Sequence, residues 1–250
     1  MTDAILEQLV DMTRLLGQPH LNYVIIGEGN TSFRVDADTF WIKASGQGMS
    51  SISDAGFVQV RFAPILELLE QQISASALQA AMMAAKVDPK SPARPSGRGH
   101  VHAALLHGCD VRVIGHTHPL AVNAILCSDR AEQFATNRMF PDEVVLCGPR
   151  SVLVPYVDPG LPLSLAIRDR VRSYSRNSAK RRKYPASESR IDRARTDADG
   201  SRQYHGDVCQ GRGIFSGACA LGEPVFMTPA DIMHIYRRPD EIYRRKLFVG

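Results

Sequence analysis

Two histidines at the end of an apolar run are the residues of this sequence best suited to chemistry. The run 111–115 is followed by His116 and His118, which are separated by one residue. Because side chains alternate between the two faces of a strand, both imidazoles would point the same way at the strand's end. Imidazoles paired in this manner are typical of two ligands of a transition metal. A catalytic metal site would need a third protein ligand from elsewhere in the chain.

Apolar patterns along the chain predict the elements that must position this pair. Helical periodicity predicts helices over 4–16, 65–72, 75–86, 101–107, 120–127 and 163–174. Short apolar runs predict strands over 24–26, 33–35, 40–44, 57–60, 111–115, 144–147 and 151–155, and turns over 27–32 and 45–48. Thr228 followed by Pro229 is typical of a helix start, so we expect two short helices over 232–236 and 237–243. The alternation predicts an α/β fold in which helices flank a mixed sheet.

Composition narrows the class of protein. The chain has 250 residues, of which 44% are hydrophobic and 22% charged, so we expect one soluble domain. The first residues have neither the basic start nor the apolar core of a signal peptide, and no run approaches the roughly 20 apolar residues that span a bilayer. The five cysteines lack paired or metal-like spacing, which is typical of a reducing compartment. We therefore expect a cytoplasmic protein with no membrane partner.

The net positive charge comes from one basic segment. The formal net charge is +4, yet twelve of the 30 basic residues fall between Arg168 and Arg202, and the rest of the chain is mildly acidic. The segment lacks the aromatic interleaving that suits base stacking, so we expect no nucleic-acid partner. It also lacks apolar periodicity, and we predict that residues 175–213 are an anomalous segment, disordered or misfolded inside the domain.

Five short motifs in a fixed order give the sequence a family resemblance. They are Gly29–Ser32, Lys43–Gly46, Arg94–Ser96 followed by His102, Gly115–Pro119, and Val154–Gly160. In this order they resemble the class II aldolase/adducin family, which includes the fuculose-phosphate and rhamnulose-phosphate aldolases. The resemblance implies a single domain over 1–250, an αβα sandwich with a largely antiparallel central sheet.

The resemblance also implies roles for matched residues. In such aldolases three histidines hold a Zn²⁺ ion that stabilises the enediolate formed as a carbon-carbon bond of a sugar phosphate breaks. His116 and His118 match two of these ligands. The phosphate-binding turns, whose backbone amides and small side chains admit an anion, are matched by Asn30, Ser45, Gly46 and Ser96. Family members form four-fold tetramers in which a neighbour's tyrosine donates a proton; Tyr236 or Tyr243 could serve, or could pack against the chain's own core.

Two departures from the family pattern affect the chemistry directly. Arg98 stands where the family has the glutamate that acts as acid and base beside the metal. A cation cannot abstract a proton, and it would repel the metal. The Asn-His-Gly turn that carries the third histidine in the family is absent from this chain.

A single cause, a pair of compensated one-base slips in the reading frame, could explain both departures. When 181–213 is back-translated and read one base later, one available translation contains an apolar strand, an Asn-His-Gly turn and an amphipathic helix that runs into Ile214. The same operation on 96–102 places a glutamate at the position of Arg98. The nucleotide sequence of the gene tests this hypothesis.

The sequence thus predicts a metal-dependent aldolase-type lyase, homo-oligomeric and impaired as written, whose partner is a small sugar phosphate. An epimerase or dehydratase of the same family would use the same enediolate chemistry. A non-catalytic scaffold like adducin, which lacks the metal histidines, is the alternative from another class. A poorly folded product of a degraded gene is a third. His102 is expected to pack or hydrogen-bond near the site.

Overall fold

An antiparallel sheet of four strands lies at the centre of the structure, a computed structural model that describes residues 2–26, 29–69, 71, 74–109, 111–180 and 211–243. The strands are β1 (Asn30–Arg34), β2 (Thr39–Lys43), β3 (Phe57–Arg61) and β4 (Val113–His116). Their order is β3-β2-β1-β4, and every neighbouring pair is antiparallel. Ser32 pairs with Ile42 on one side and with Ile114 on the other, so β1 joins the hairpin to the strand that carries the histidines.

Helices surround this sheet and continue beyond it. They are α1 (Thr2–Leu16), α2 (Ala63–Leu69), α3 (Ala75–Ala84), α4 (Gly99–Gly108), α5 (Leu120–Leu126), α6 (Ala131–Thr136), α7 (Pro141–Cys147), α8 (Leu161–Lys180), α9 (211–221) and α10 (Pro229–Arg237). Residues 239–243 are also helical, and short 3-10 helices lie at Pro19–Leu21 and Asp54–Gly56. Within the described ranges, none of the helices combines the length and apolar character needed to cross a bilayer.

The sheet buries apolar side chains on both of its faces. Phe40 and Ile42 of β2 point into a cluster that also holds residues of α2, α3 and α4, whereas Trp41 between them packs against a second cluster. The second cluster contains Leu9 and Met12 of α1. This alternation follows from the two-residue period of a strand. The expected α/β architecture, with helices against a largely antiparallel sheet, is confirmed.

A third and smaller cluster lies away from the sheet, between α7 and α10. Val144 and Val145 are fully buried there, and Ile232, Ile235 and Tyr236 pack against them. The Thr228 hydroxyl accepts a hydrogen bond from the Asp231 backbone amide at 3.1 Å, as its sequence context predicts for a helix N-cap.

Three predicted strands are wrong. Residues 144–147 belong to helix α7, which begins at Pro141 and has Asp142 and Glu143 in its first turn. Residues 151–155 have no regular structure. Residues 24–26 also form no strand, because Asn22 shortly before this run and Ile26 at its end adopt left-handed backbone angles (φ of 53° each) that extended pairing excludes.

Two further predictions concern segments of which the structure describes only some residues. The turn expected over 27–32 is wrong at its end, since 30–32 belong to β1, while 27 and 28 lie outside the described residues. Of the basic segment 175–213, residues 181–210 also lie outside the described residues. Residues 175–180 continue α8, and 211–213 begin the described part of α9.

Candidate active-site cavity

The predicted site residues meet at one end of the sheet. Asn30, the first residue of β1, pairs with His116, the last residue of β4. Strand β2 ends at the same end of the sheet, at Lys43, because it runs antiparallel to β1. The antiparallel topology therefore places the turn after β2 near the histidines, although they are far apart in sequence.

Backbone hydrogen bonds fix the turn after β2 against a second predicted motif. The Ser45 amide donates to the Arg94 carbonyl at 2.8 Å, and the Ser96 amide donates to the Lys43 carbonyl at 3.1 Å. The Lys43 ammonium is buried beneath this turn and donates to the Gln47 carbonyl at 2.6 Å. Burial lowers the pKa of Lys43 from its ordinary value. These contacts bring together two of the segments predicted to bind phosphate.

The exposure of these turns suits an incoming anion. Ser45 and Gly46 are exposed, and Gly46 has φ of 79°, a conformation that glycine adopts without strain. Ser96 is buried, and its hydroxyl accepts a hydrogen bond from the Arg98 backbone amide at 3.2 Å. No phosphate contact is described, so the binding role of these residues stays a prediction.

His116 and His118 lie side by side at the end of β4. Their ring centroids are 4.7 Å apart and the ring planes are inclined by 56°. The His118 amide donates to the Tyr23 carbonyl at 2.8 Å, which ties the loop after β4 to the segment before β1. The structure thus brings the two imidazoles together, and their role as metal ligands stays a prediction.

Asn30 contacts His116 directly. Its side-chain nitrogen lies 3.1 Å from His116 Nδ1, and its buried Oδ1 has no hydrogen-bond partner. The two ends of an amide are nearly equal in shape, so turning the amide over would let Oδ1 accept a hydrogen bond from Nδ1–H. His116 Nε2 would then present its lone pair to a metal. We infer that Asn30 orients His116, a role that the phosphate-turn prediction missed.

A cavity of about 430 Å³ opens beside this pair. It lies between α4, β4, α5, α8 and α9, and it is lined by Arg98, Val101, His102, Leu105, Ile114, Gly115, His116, Thr117, His118, Pro119, Val122, Leu163, Ile167 and Arg212. The described lining contains two arginines and three histidines but no aspartate or glutamate. Its electrostatic potential is therefore positive, which attracts anions and opposes the entry of a dication.

His102 is the third imidazole of the cavity wall. It is buried, and its Nδ1 lies 2.6 Å from the hydroxyl oxygen of Ser32. Burial lowers the pKa of His102 well below its usual value, and the neighbouring His116 and His100 lower it further. His102 is therefore neutral near pH 7, and it packs and hydrogen-bonds close to the site.

His100, which lies between the lining residues Arg98 and Val101, is a buried imidazole of α4 without good partners. Neither ring nitrogen meets hydrogen-bond geometry. Burial lowers its pKa, the carbonyls of Gly160 and Gly97 partly oppose that shift, and the charge of Arg98 adds to it. A buried polar ring without partners costs stability.

The two arginines of the cavity differ in their surroundings. Arg98 lies at the N-cap of α4, is half-buried, and its guanidinium makes no hydrogen bond or ion pair to any described residue. Arg212 is buried, with its guanidinium 5.6 Å from the centre of the Phe134 ring. Burial raises the pKa of the nearby Glu143 carboxyl, and the charges of Arg138 and Arg212 partly oppose this rise. Sequence reasoning missed Arg212, because it belongs to a segment without a periodic pattern.

The described residues do not complete a zinc site. A catalytic Zn²⁺ ion normally has three protein ligands and an open position. Among the described residues no group of three or more His, Cys, Asp or Glu side chains could hold a metal, and Arg98 lines the same cavity as the histidine pair. The third histidine and the acid/base glutamate expected from the family are absent from this part of the chain.

The two tyrosines considered as proton donors lie elsewhere. Tyr236 is buried in the third cluster, packed with Val144 and Ile232, and Tyr243 is 64% exposed. Neither lines the cavity. A role across a subunit boundary is not tested by a single chain and stays a prediction.

Known proteins resemble this chain in sequence and in fold. The model of the class II aldolase and adducin N-terminal domain family matches residues 7–181. The uncharacterized oxidoreductase YuxG of Bacillus subtilis (strain 168) is 29% identical over 176 residues, which are 66% of this chain and 23% of that protein. The chain thus spans less than a quarter of that relative's length.

Solved structures share the fold at low sequence identity. The N-terminal class II aldolase domain of a conserved Thermoplasma acidophilum protein matches with a TM-score of 0.59 and 19% identity, over 84% of this chain and 92% of that one. YgbL from Escherichia coli matches with a TM-score of 0.62 and 12% identity, over 93% of this chain and 98% of that one. L-fuculose-1-phosphate aldolase from Thermus thermophilus matches with a TM-score of 0.56 and 12% identity, over 89% of this chain and 99% of that one.

These identities establish the fold alone, whereas the family match extends over most of the chain, from the first helix to the end of α8. It includes the strand that carries His116 and His118 and the turns that precede it. This chain is a member of the class II aldolase and adducin N-terminal domain family.

Proposed function

We propose that this protein is an aldolase-type lyase for a phosphorylated sugar, and that its metal site is incomplete in the chain as written. The observation that carries the proposal is the adjacent pair His116 and His118 at the end of β4, beside a cavity and next to turns suited to an anion. The family supports an enzyme of this type, which generally uses a divalent metal, often Zn²⁺.

The chain's own residues would bind and orient the substrate. The Gly46 amide and the Ser45 hydroxyl, both on exposed residues, would donate hydrogen bonds to a phosphate, and the bond from the Ser96 amide to the Lys43 carbonyl would hold Ser96 beside them. Asn30 would fix the orientation of the His116 ring. With two imidazoles and no third donor among the described residues, the affinity of this site for a metal would be weak.

Zinc titration by calorimetry tests the ligand assignment. We expect weak binding of one Zn²⁺ ion by the wild-type protein and its loss in His116→Ala and in His118→Ala. His20→Ala is the control, because His20 is exposed and does not line the cavity. Unchanged zinc binding in His116→Ala would contradict the assignment.

The nucleotide sequence of the gene and a repaired chain test whether a reading-frame slip has left the metal site incomplete. If the gene permits the shifted frame over 181–213, the repaired protein should retain Zn²⁺ and cleave a ketose phosphate, with activity lost in chelator. Product analysis then separates aldol cleavage from epimerisation and dehydration. If the codons cannot give Asn-His-Gly in the shifted frame, the reading-frame hypothesis is wrong.

A non-catalytic scaffold like adducin is the second candidate function. The observation that favours it is Arg98 in the cavity, where its charge opposes a metal and it cannot act as a base. A scaffold would bind no Zn²⁺ even after Arg98→Glu, whereas an enzyme lacking only its ligands would gain affinity. We further propose a cytoplasmic homotetramer without nucleic-acid or membrane partners, to be checked by sedimentation and fractionation.

A further inference from the structure

We propose that the cavity beside His116 binds an amphipathic anion directly, with the acidic group on Arg98 and the apolar body against α4, α5 and α8. This inference needs neither a bound metal nor lyase activity. It concerns the cavity and not the phosphate turns, because Ser45, Gly46 and Ser96 are absent from the cavity lining.

The charge of the cavity sets the sign of its ligand. Arg98 lines the cavity and is half-buried, and its guanidinium makes no hydrogen bond or ion pair to any described residue. Arg212 adds a second positive charge to the wall, and no described acidic residue lines it. A guanidinium that presents several N–H donors in one plane matches a carboxylate or phosphate bidentately.

Apart from the two arginines, the three histidines and Thr117, the described wall is apolar. Seven of its side chains carry no polar atom, namely Val101, Leu105, Ile114, Pro119, Val122, Leu163 and Ile167. Hydroxyl groups placed against them would lose water without gaining partners, which costs free energy. An aliphatic or aromatic body would instead gain by burial. The wall thus selects an anion whose body is apolar.

The size of the cavity fits one small molecule. Its volume of about 430 Å³ lies within the range of about 300–1,000 Å³ typical of ligand pockets. A medium-chain carboxylate combines one anionic end with an apolar body of suitable length. Octanoate is therefore a direct probe.

Calorimetric titration of octanoate into the full chain, in EDTA, tests the proposal. We expect binding that weakens about tenfold or more in Arg98→Ala and less in Arg98→Lys, which keeps the charge but loses the bidentate geometry. Ile167→Gln should also weaken binding, because it places an amide in the apolar wall. Arg172→Ala, an exposed arginine on α8, is the matched control and should bind as wild type.

Two reference ligands separate the contributions of charge and apolar body. Inorganic phosphate lacks the body and 1-octanol lacks the charge, so each should bind at least about tenfold more weakly than octanoate. Equal affinity of Arg98→Ala and wild type, equal binding of 1-octanol, or no octanoate binding up to about 10 mM would overturn the proposal. Near-UV circular dichroism confirms that each variant is folded. Because EDTA removes metals, a failed zinc titration would leave this result unaffected.

Discussion

The sheet half of the molecule, residues 2–116, and the helical half, residues 117–243, are stabilised in different ways. The sheet half has two apolar clusters, one on each face of the sheet, while the helical half has one smaller cluster. Of the ten exposed large apolar side chains among the described residues, seven belong to the helical half: Leu120, Leu126, Tyr156, Ile214, Leu221, Val225 and Tyr243. The cavity thus has one well-packed wall and one wall supported by fewer apolar contacts.

The helical half relies instead on a buried arginine. Arg138 is 1% exposed, and its guanidinium donates to the Gly148 carbonyl at 2.7 Å, the Asn137 carbonyl at 2.8 Å and the Ser151 hydroxyl at 3.1 Å. These bonds hold the ends of α6 and α7 and the irregular chain after them. The comparison teaches that apolar burial dominates beside the sheet and directional hydrogen bonds dominate beyond it.

The largest expected effect comes from matched core substitutions in the two halves. Ile42→Ala, at a fully buried position, should lower the free energy of unfolding by about 4 kcal/mol, near the upper end for such deletions. Ile232→Ala, at 7% exposure in the smaller cluster, should cost about 2 kcal/mol. Urea denaturation followed by circular dichroism measures both losses of stability. Equal losses would show that the two halves do not differ in how much their apolar cores contribute.

The single tryptophan sharpens this test. Trp41 lies on β2, so its fluorescence reports on the sheet half. If the halves differ in stability, its unfolding midpoint should lie at higher urea than the midpoint for loss of total helix, to which α5–α10 of the helical half also contribute. Coincident transitions would show that both halves unfold as one unit.

Arg138→Met is expected to have the next largest effect. The substitution leaves buried carbonyl oxygens without donors, which should cost about 3 kcal/mol. Arg138→Lys keeps the charge but loses the planar fork, so its loss should be smaller. Arg170→Met, at an exposed arginine, serves as control in the same denaturation series. A stable Arg138→Met protein would show that the hydrogen bonds are dispensable.

A pH dependence follows from His100 in the sheet half. Its pKa is lowered mainly by burial, so as the pH falls the unfolded chain binds a proton near pH 6.5 before the native chain does. The stability gained from the neutral ring is therefore complete above about pH 6.5 and is lost as the pH falls, by at most about 1.4 kcal/mol per pH unit.

Denaturation at several pH values between about 7.5 and 5.5 measures this slope. His100→Thr should flatten it in part, while the still lower pKa of His102 maintains the remainder. His20→Ala, at an exposed position, should leave the profile unchanged. A wild-type profile that rises toward acid would contradict the prediction.

The smallest effect compares helix caps in the two halves. The Ser74 hydroxyl accepts from the Ala77 amide at 3.2 Å, and the Thr228 hydroxyl accepts from the Asp231 amide at 3.1 Å. Each alanine substitution should cost about 1 kcal/mol. Hydrogen exchange should show local opening of α10 for Thr228→Ala, because that helix packs on the smaller cluster. Identical exchange of α10 in both variants would argue against a difference between the halves.

Local signals explain which elements were predictable from the sequence. The short apolar runs 33–35 and 40–44 predicted strands that the structure pairs as the hairpin of β1 and β2. Between them, the Asp36 carboxylate accepts hydrogen bonds from the Asp38 and Thr39 amides at 2.8 and 2.7 Å. Helix α7 was missed because the β-branched pair Val144 and Val145 resembles a strand. Its burial depends on α10, more than 80 residues later, which no local pattern shows.

The candidate site was likewise predictable only where a local sequence pattern indicated it. Strand alternation predicted that the His116 and His118 rings would lie together. The contact of Asn30 with His116 joins residues 86 positions apart, and the place of Arg212 in the cavity depends on tertiary packing. Both required the structure, because neither residue stands in a local pattern that indicates its contact.

The end of the strand that carries His116 lies against Gly29, a residue without a side chain. Gly29 has φ of 148°, and a methyl group there would meet the carbonyl oxygen of His116 at 2.7 Å and collide with the sulfur of Met49. Any larger residue would therefore have to displace the His116 carbonyl, at the last residue of β4, or the Met49 side chain. A single hydrogen atom in place of a side chain thus permits the close approach of the backbone at residue 29 to the end of the strand that bears His116.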